Sequence, residues 1–218
     1  MTLRIRKIFE EIPECGLFAD VGCDHGFVAE LMLEQKKCER AVVSDISAKS
    51  LKKAEKLLKK YIDAGVCTPV VTDGMRGFKN EPDVALIAGM GGEEIIKILD
   101  ESPVLPATLV LQPMKNTPKL RRKLFESGYG IVRDFVFKDG KYYNLIRATR
   151  GAKVQPYSET EYEFGRDNLL EKSADFNEYI ALELKKCEKY AKGVVSLCDL
   201  AYFNNRITLL KEVLNENK

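Results

Sequence analysis

Between Leu17 and Thr149 the chain repeats one pattern: a short apolar run that stops at glycine, aspartate or proline, then a lysine-rich segment with helical spacing. The runs are Leu17 to Val21, Ala41 to Ser44, Thr68 to Thr72, Val84 to Ala88 and Thr108 to Gln112. Each is too short for a helix, and their boundaries are turn residues, so they read as strands. Strands alternating with helical segments imply parallel pairing, because a parallel connection has to cross the sheet and a helix is the usual crossover. The crossover helices are predicted over Gly26 to Lys36, Ala48 to Ala64, Gly92 to Glu101 and Thr117 to Ser127. In the last of these, Thr117-Pro118 supplies a cap followed by proline at the first helical position.

After Gly128 the pattern changes to two stretches, Tyr129 to Phe137 and Tyr142 to Thr149, joined by Lys138-Asp139-Gly140-Lys141, where Asp-Gly provides the positive φ of a tight hairpin turn. The fold class expected is therefore α/β, Rossmann-like, with a mostly parallel sheet ending in an antiparallel hairpin. Beyond Gly151-Ala152-Lys153, Tyr157 to Lys192 and Leu197 to Asn215 carry helical apolar spacing with Gly193 between them, which reads as an antiparallel, coiled-coil-like helical pair. Such a pair can serve as a dimer seam, as an arm for a macromolecular substrate, or as packing against the sheet. The spacing does not choose among these. Two domains are expected, 1–152 and 153–218, with monomer and homodimer both open.

The 218 residues, 45% hydrophobic, suffice for a real core. The 31% charged residues leave a formal net charge of only +2, so any nucleic-acid surface has to be a local patch. Six cysteines without a C-x-x-C pair, together with a single histidine, argue against a zinc site and for reduced thiols; no metal is expected. No apolar run approaches the about 20 residues that cross a bilayer, and no signal-peptide pattern opens the chain, so no membrane partner and a cytoplasmic location are expected.

In a doubly wound sheet, ligands bind at the carboxyl ends of the strands. There the sequence places Asp20-Val21-Gly22-Cys23-Asp24-His25-Gly26, then Asp45-Ile46, then Asp73-Gly74, then Gly89-Met90-Gly91-Gly92. Singly, such aspartates are often helix caps and such glycines only turns. Together they form a set: an acidic residue about 20 to 25 positions after the first loop suits a ribose diol, and the next suits an adenine amine. A nicotinamide dehydrogenase would carry G-x-G-x-x-G, but here Asp24 takes the second glycine position, which disfavours a pyrophosphate and suits a ligand bearing an ammonium and a sulfonium. This points to S-adenosylmethionine as cofactor. His25 reads as a wall of that pocket rather than as a general base.

As a set, Ala19 to Gly26, Asp73-Gly74, Gly89 to Gly92, Leu111-Gln112-Pro113, the hairpin through Asp139-Gly140-Lys141-Tyr142-Tyr143, and Glu163-Phe164-Gly165 resemble the bacterial tRNA (adenine-22-N1)-methyltransferase family. The resemblance also includes the segment from Leu3-Arg4 to Ile12-Pro13 and spans nearly the whole chain. Met114 after Gln112-Pro113, Gly26 and Asp45 depart from the family pattern. The resemblance implies methyl transfer from S-adenosylmethionine to N1 of an adenine in tRNA. It places Gly22, Asp24 and His25 at the methionine end of the cofactor, Asp45 at the ribose, and Asp73 and Gly74 at the adenine; Asp20, Cys23, Gly26, Ile46, Gly89 and Met90 complete the expected cofactor-binding set. Gly89, Met90 and Gly91 would align the base with the methyl donor, with no dedicated base. Gly92, Gln112, Pro113, Lys115, Lys119, Arg121 and Arg122 would meet the substrate, and Lys123, Arg4, Arg6 and Lys7 are further candidates for the RNA backbone. The lysines between Lys49 and Lys60 read as a solvated helix face. A methyltransferase acting on a small molecule or protein, or a cofactor-binding module without catalysis, are the competing readings.

Overall fold

The computed structural model describes residues 1–193 and 196–215. Residues 194, 195 and 216–218, within the segment read as the C-terminal helical domain, lie outside the described residues. The first helix, α1 (Leu3–Glu11), is capped by Thr2, whose hydroxyl accepts a hydrogen bond from the Ile5 N–H at 3.3 Å. It was not among the helices expected from the sequence, although its buried Ile8, and Ile12 just beyond it, sit one turn apart. Strand β1 (Cys15–Val21), helix α2 (Phe27–Glu34), strand β2 (Cys38–Asp45), helices α3 (Ala48–Leu57) and α4 (Lys59–Asp63), and strand β3 (Cys67–Val71) follow. The single helix predicted over Ala48 to Ala64 is divided at Leu58, which leaves helical geometry at φ −90°, ψ 7° while its side chain is fully buried.

Strand β4 (Val84–Met90), helix α5 (Gly92–Asp100), strand β5 (Thr108–Pro113) and helix α6 (Thr117–Glu126) complete the crossovers, and β6 (Tyr129–Asp139) and β7 (Lys141–Arg150) form the hairpin. Its turn is tighter than predicted: Asp139 pairs with Lys141 across Gly140 alone. The seven strands lie in the order β3-β2-β1-β4-β5-β7-β6, with β1 to β5 parallel and β7 antiparallel to both β5 and β6. Two apolar layers cover the sheet. On one face Ile8, Met32, Leu51 and Leu58 pack on Phe18, Val43 and Leu86; on the other Ile95, Leu99, Leu120 and Leu124 pack on Ala19, Ile87 and Leu111. Each fully buried aliphatic side chain of this kind contributes roughly 1.5–3 kcal/mol.

The long helix predicted over Tyr157 to Lys192 is three: α7 (Glu159–Phe164), α8 (Arg166–Glu171) and α9 (Ala174–Ala191). Gly165 at φ +88° and Lys172 at φ +48° adopt the left-handed region, which a continuous α-helix cannot accommodate, and Ser158 and Ser173 start new helices as caps. Helix α10 (Leu197–Asn215) packs against α9, with Phe203 meeting Tyr190 and Lys211 reaching Glu188. This pair shares a third apolar cluster with Val136 of β6 and Phe164 of α7. No described helix is long and apolar enough to cross a membrane.

Candidate functional site

Because β6 runs in the same direction as the parallel strands, the hairpin turn at Gly140 lies at the same edge of the sheet as their carboxyl ends. A cleft of about 590 Å³ opens along that edge, within the size range of small-molecule sites. Of the predicted cofactor residues, Asp20, Gly22, Cys23, Asp24, His25, Asp45, Ile46, Asp73, Gly74, Gly89 and Met90 all line it. Gly26 does not; it caps α2 at φ +74°, and its bare α-carbon lets α3 approach, since a Cβ would stand 3.1 Å from that of Ala54.

The loop after β1 is fastened from both sides. The N–H groups of Gly22 and Cys23 donate to the Ser44 carbonyl at 2.8 and 3.0 Å, and Gly26 N–H donates to Cys23 O at 2.9 Å. Gly22 (φ +71°) and Asp24 (φ +45°) are left-handed, so the chain turns sharply and exposes its edge to the cleft. A Cβ on Gly22 would run into the methyl of Met90. Asp20 is buried beneath this loop; burial lifts its carboxyl from 3.8 to about 7, opposed by a hydrogen bond from the Ala29 N–H. Asp24 is exposed, and a hydrogen bond from Lys53 at 2.8 Å, with a second contact to His25 Nδ1 at 2.8 Å, holds its carboxyl below the usual range. Burial, reinforced by the carboxylates of Asp20 and Asp45, pushes the Cys23 thiol far up, so it stays protonated.

Asp45 accepts the Ser47 N–H at 2.8 Å on one oxygen and the Asp24 N–H at 3.4 Å on the other. Each oxygen keeps a lone pair for a diol. Ile46 is 70% exposed and Phe27 45% exposed, both facing the cleft, and Phe27 lies parallel to His25 with ring centroids 5.3 Å apart. At the end of β4 the register with β5 shifts around Gly89, which turns at φ +81° out of the ladder and into the cleft.

The acceptor-side expectations fare differently. Arg121 is a correction: it is fully buried, its Nε and Nη2 donating to the Asp134 carboxylate at 2.8 and 2.9 Å and its Nη1 to the carbonyls of Tyr162 and Glu163 at 3.0 and 2.9 Å. An arginine so enclosed has no face for RNA. Gly92 is buried as well, its N–H donating to Lys115 O at 2.8 Å, and a Cβ there would strike the backbone of Lys115 and Asn116. Gln112 and Pro113 are buried and stand behind the cleft rather than on it, and the Lys115 side chain covers Gly91. Lys119 is exposed beside Glu93 at 2.9 Å, Arg122 pairs with Glu159, and Lys123 pairs with Asp100 at 2.6 Å.

Sequence reading missed the contribution of α1 to the cleft: Thr2, Arg4, Ile5 and Ile8 line it, as does Glu94 of α5. Only the Thr2 cap and the apolar spacing of α1 signalled that helix. Arg4, a candidate for the RNA backbone, enters the cleft and donates from Nε to Gln112 Oε1 at 2.9 Å. Among the described residues no group of three or more His, Cys, Asp or Glu side chains could hold a metal ion.

A doubly wound sheet completed by an antiparallel hairpin, with a cleft across its carboxyl ends that is acidic at three successive strand ends, defines the class: a Rossmann-like α/β protein of the methyltransferase type. The chain belongs to the methyltransferase-domain family, whose pattern it matches over residues 1–146. It is 33% identical over 144 residues to a Mycoplasma pneumoniae protein named as a candidate tRNA methyltransferase, covering 66% of this chain and 68% of that one. Over 99% of its length, and 97% of the relative's, it is 25% identical to the tRNA (adenine(22)-N(1))-methyltransferase of Bacillus subtilis strain 168. The structure of TrmK from M. capricolum, in complex with S-adenosyl-homocysteine, superposes with a TM-score of 0.91 at 21% identity, over 100% of this chain and 99% of that one.

Proposed function

We propose that the protein transfers the methyl group of S-adenosylmethionine to N1 of an adenine in tRNA, at position 22 as in the B. subtilis relative. The observation that carries this reading is the division of charge along the cleft. Asp20, Asp24, Asp45 and Asp73 line the half formed by β1 to β3, and the half beside β4, β5 and β7 carries the cation Arg4 together with a single carboxylate, Glu94. The residues fit the cofactor: carboxylates suit its ammonium and sulfonium, Asp45 keeps acceptors for a ribose diol, Asp73 for an adenine amine, and the bare Gly22 loop lets a ligand lie close.

When bound, the cofactor supplies an electrophilic methyl on sulfur. The adenine N1 lone pair lies in the ring plane and attacks without prior loss of a proton, so no general base is required. What the chain contributes is alignment. Gly89 and Met90 set the floor where base and methyl meet, and the stacked His25–Phe27 pair closes one wall. N1 sits on the Watson–Crick edge, so the base has to leave its stack first, at a cost of a few kcal/mol offset by contacts to the RNA backbone. The test is transfer of labelled methyl from S-adenosylmethionine to unmodified bacterial tRNA, followed by nucleoside analysis. The expected product is 1-methyladenosine; its absence, with active control enzyme in parallel, would reject the reading.

A further inference from the structure

Among the described residues, Arg4 is a cation of this cleft that the fold holds without a charged partner. Its Nε donates to Gln112 Oε1 at 2.9 Å, and its guanidinium lies 5.1 Å from the centre of the Tyr143 ring. Gln112 is itself fixed: it is fully buried, and its Nε2 donates to Pro113 O at 3.2 Å, which leaves Oε1 as the end that faces Arg4. The Arg4 backbone N–H donates to Asp139 at 2.9 Å, so the hairpin turn anchors the residue's main chain. Among the described residues, neither Nη1 nor Nη2 makes a hydrogen bond, and no carboxylate lies within ion-pair distance of the guanidinium. Nη2 hangs over Gly89, 3.1 Å from where a Cβ would stand.

A half-buried arginine held rigidly at one nitrogen, with its other four N–H donors free, is set up for a planar anion-binding contact. Its neighbours Gly89, Gln112 and Tyr143 belong to β4, β5 and β7, on the far side of the cleft from the carboxylates of β1 to β3. We infer that Arg4 grips a phosphate of the RNA next to the nucleotide being methylated. The inference rests on the proposed RNA substrate. A contact to the base itself would oppose the reaction, because the ring becomes cationic as N1 gains the methyl and a guanidinium beside it repels that charge. A contact to the phosphate carries no such penalty.

The test compares wild type with Arg4→Lys, Arg4→Gln and Gln112→Leu in three measurements: thermal unfolding, calorimetric binding of S-adenosylhomocysteine, and methyl transfer to unmodified tRNA across a salt series. Wild-type tRNA methylation is measured first, and its absence rejects the functional reading and this inference together. With wild type active, both Arg4 variants are expected to unfold cooperatively and bind S-adenosylhomocysteine as wild type does. Their kcat/KM for tRNA should fall, roughly 30-fold or more for Arg4→Gln and less for Arg4→Lys, which keeps the charge but not the planar fork, and the slope of log kcat/KM against log salt should be shallower by about 1 in Arg4→Gln alone. Gln112→Leu should show a smaller loss in the same direction. Weakened S-adenosylhomocysteine binding, in proportion to the loss of activity, would assign Arg4 to the cofactor's carboxylate and overturn the inference while leaving the RNA reading intact. Unchanged kcat/KM and salt slope would reduce Arg4 to a strut between α1 and β5.

Discussion

Replacing Arg121 by alanine opens a polar cluster that nothing else in the core can satisfy. The Arg121 and Asp134 side chains are 1% and 0% exposed. Without the guanidinium, Asp134 keeps the Tyr157 hydroxyl at 3.2 Å as its side-chain hydrogen-bond donor, and the carbonyls of Tyr162 and Glu163 lose their link to Arg121. Breaking one side of a buried ion pair costs about 3–5 kcal/mol, and for a chain of this size that corresponds to a melting point lower by roughly 6–20 °C. The double variant Arg121→Met with Asp134→Leu removes both charges and restores packing, but takes these partners from the two carbonyls and from the Tyr157 hydroxyl, at about 1 kcal/mol each. It should therefore lose about 3 kcal/mol, less than the single variant, which loses the carbonyl links and also strands a buried charge. Urea unfolding followed by tyrosine fluorescence reads this directly, because the chain has no tryptophan and Tyr157 adjoins the pair. Because Arg121 joins α6 to the end of α7, limited proteolysis between Gly151 and Gly165 should accelerate in the single variant. A loss below about 1 kcal/mol, or a double variant no more stable than the single, would refute the assignment of the pair as the latch between sheet and C-terminal helices.

Asp20→Asn tests the buried carboxyl. Since folding lifts its pKa from 3.8 to about 7, the folded state holds the extra proton between those values, and wild-type stability from this group falls as pH rises through that window and levels off above it. The contribution is about 4 kcal/mol at most. The variant should match wild type near pH 4 and exceed it at pH 8; identical stability curves across the range would contradict the burial of an ionising Asp20. Gly22→Ala places a side chain at φ +71° and against Met90, so stability should drop by about 1–2 kcal/mol and S-adenosylhomocysteine binding by calorimetry should weaken more than tenfold; an unchanged Kd removes this loop from the site. Lys115→Ala, at an exposed cation without an ion pair among the described residues, should leave S-adenosylhomocysteine binding intact and flatten the salt dependence of tRNA affinity by about 1 in slope. The same slope in both proteins would make Lys115 only a cover for Gly91.

The sequence alone determined the strands, their parallel direction, the hairpin and the acidic strand ends, because each depends on neighbours a few residues away: short continuous apolar runs between helical segments, and residues able to turn. The turn from Asp20 to Gly26, Asp45 and Asp73 fall at strand ends because a doubly wound sheet brings successive carboxyl ends to one edge. Helix α1 was within reach of the same reasoning through Thr2 and its apolar spacing. The breaks at Gly165 and Lys172 were harder to see, since an exposed or half-buried helical period continues across them until a left-handed residue intervenes. What only the tertiary structure decided is the fate of the cations. Arg121 and Arg122 stand next to each other in one basic run, yet Arg121 is enclosed by Asp134 and the end of α7 while Arg122 reaches the surface. Arg4 reaches Gln112 across 108 positions of chain. A charged side chain looks the same in sequence whether it is solvated, buried against a partner or aimed into a cleft; the free energy that separates these states comes from groups brought near only when the chain has folded.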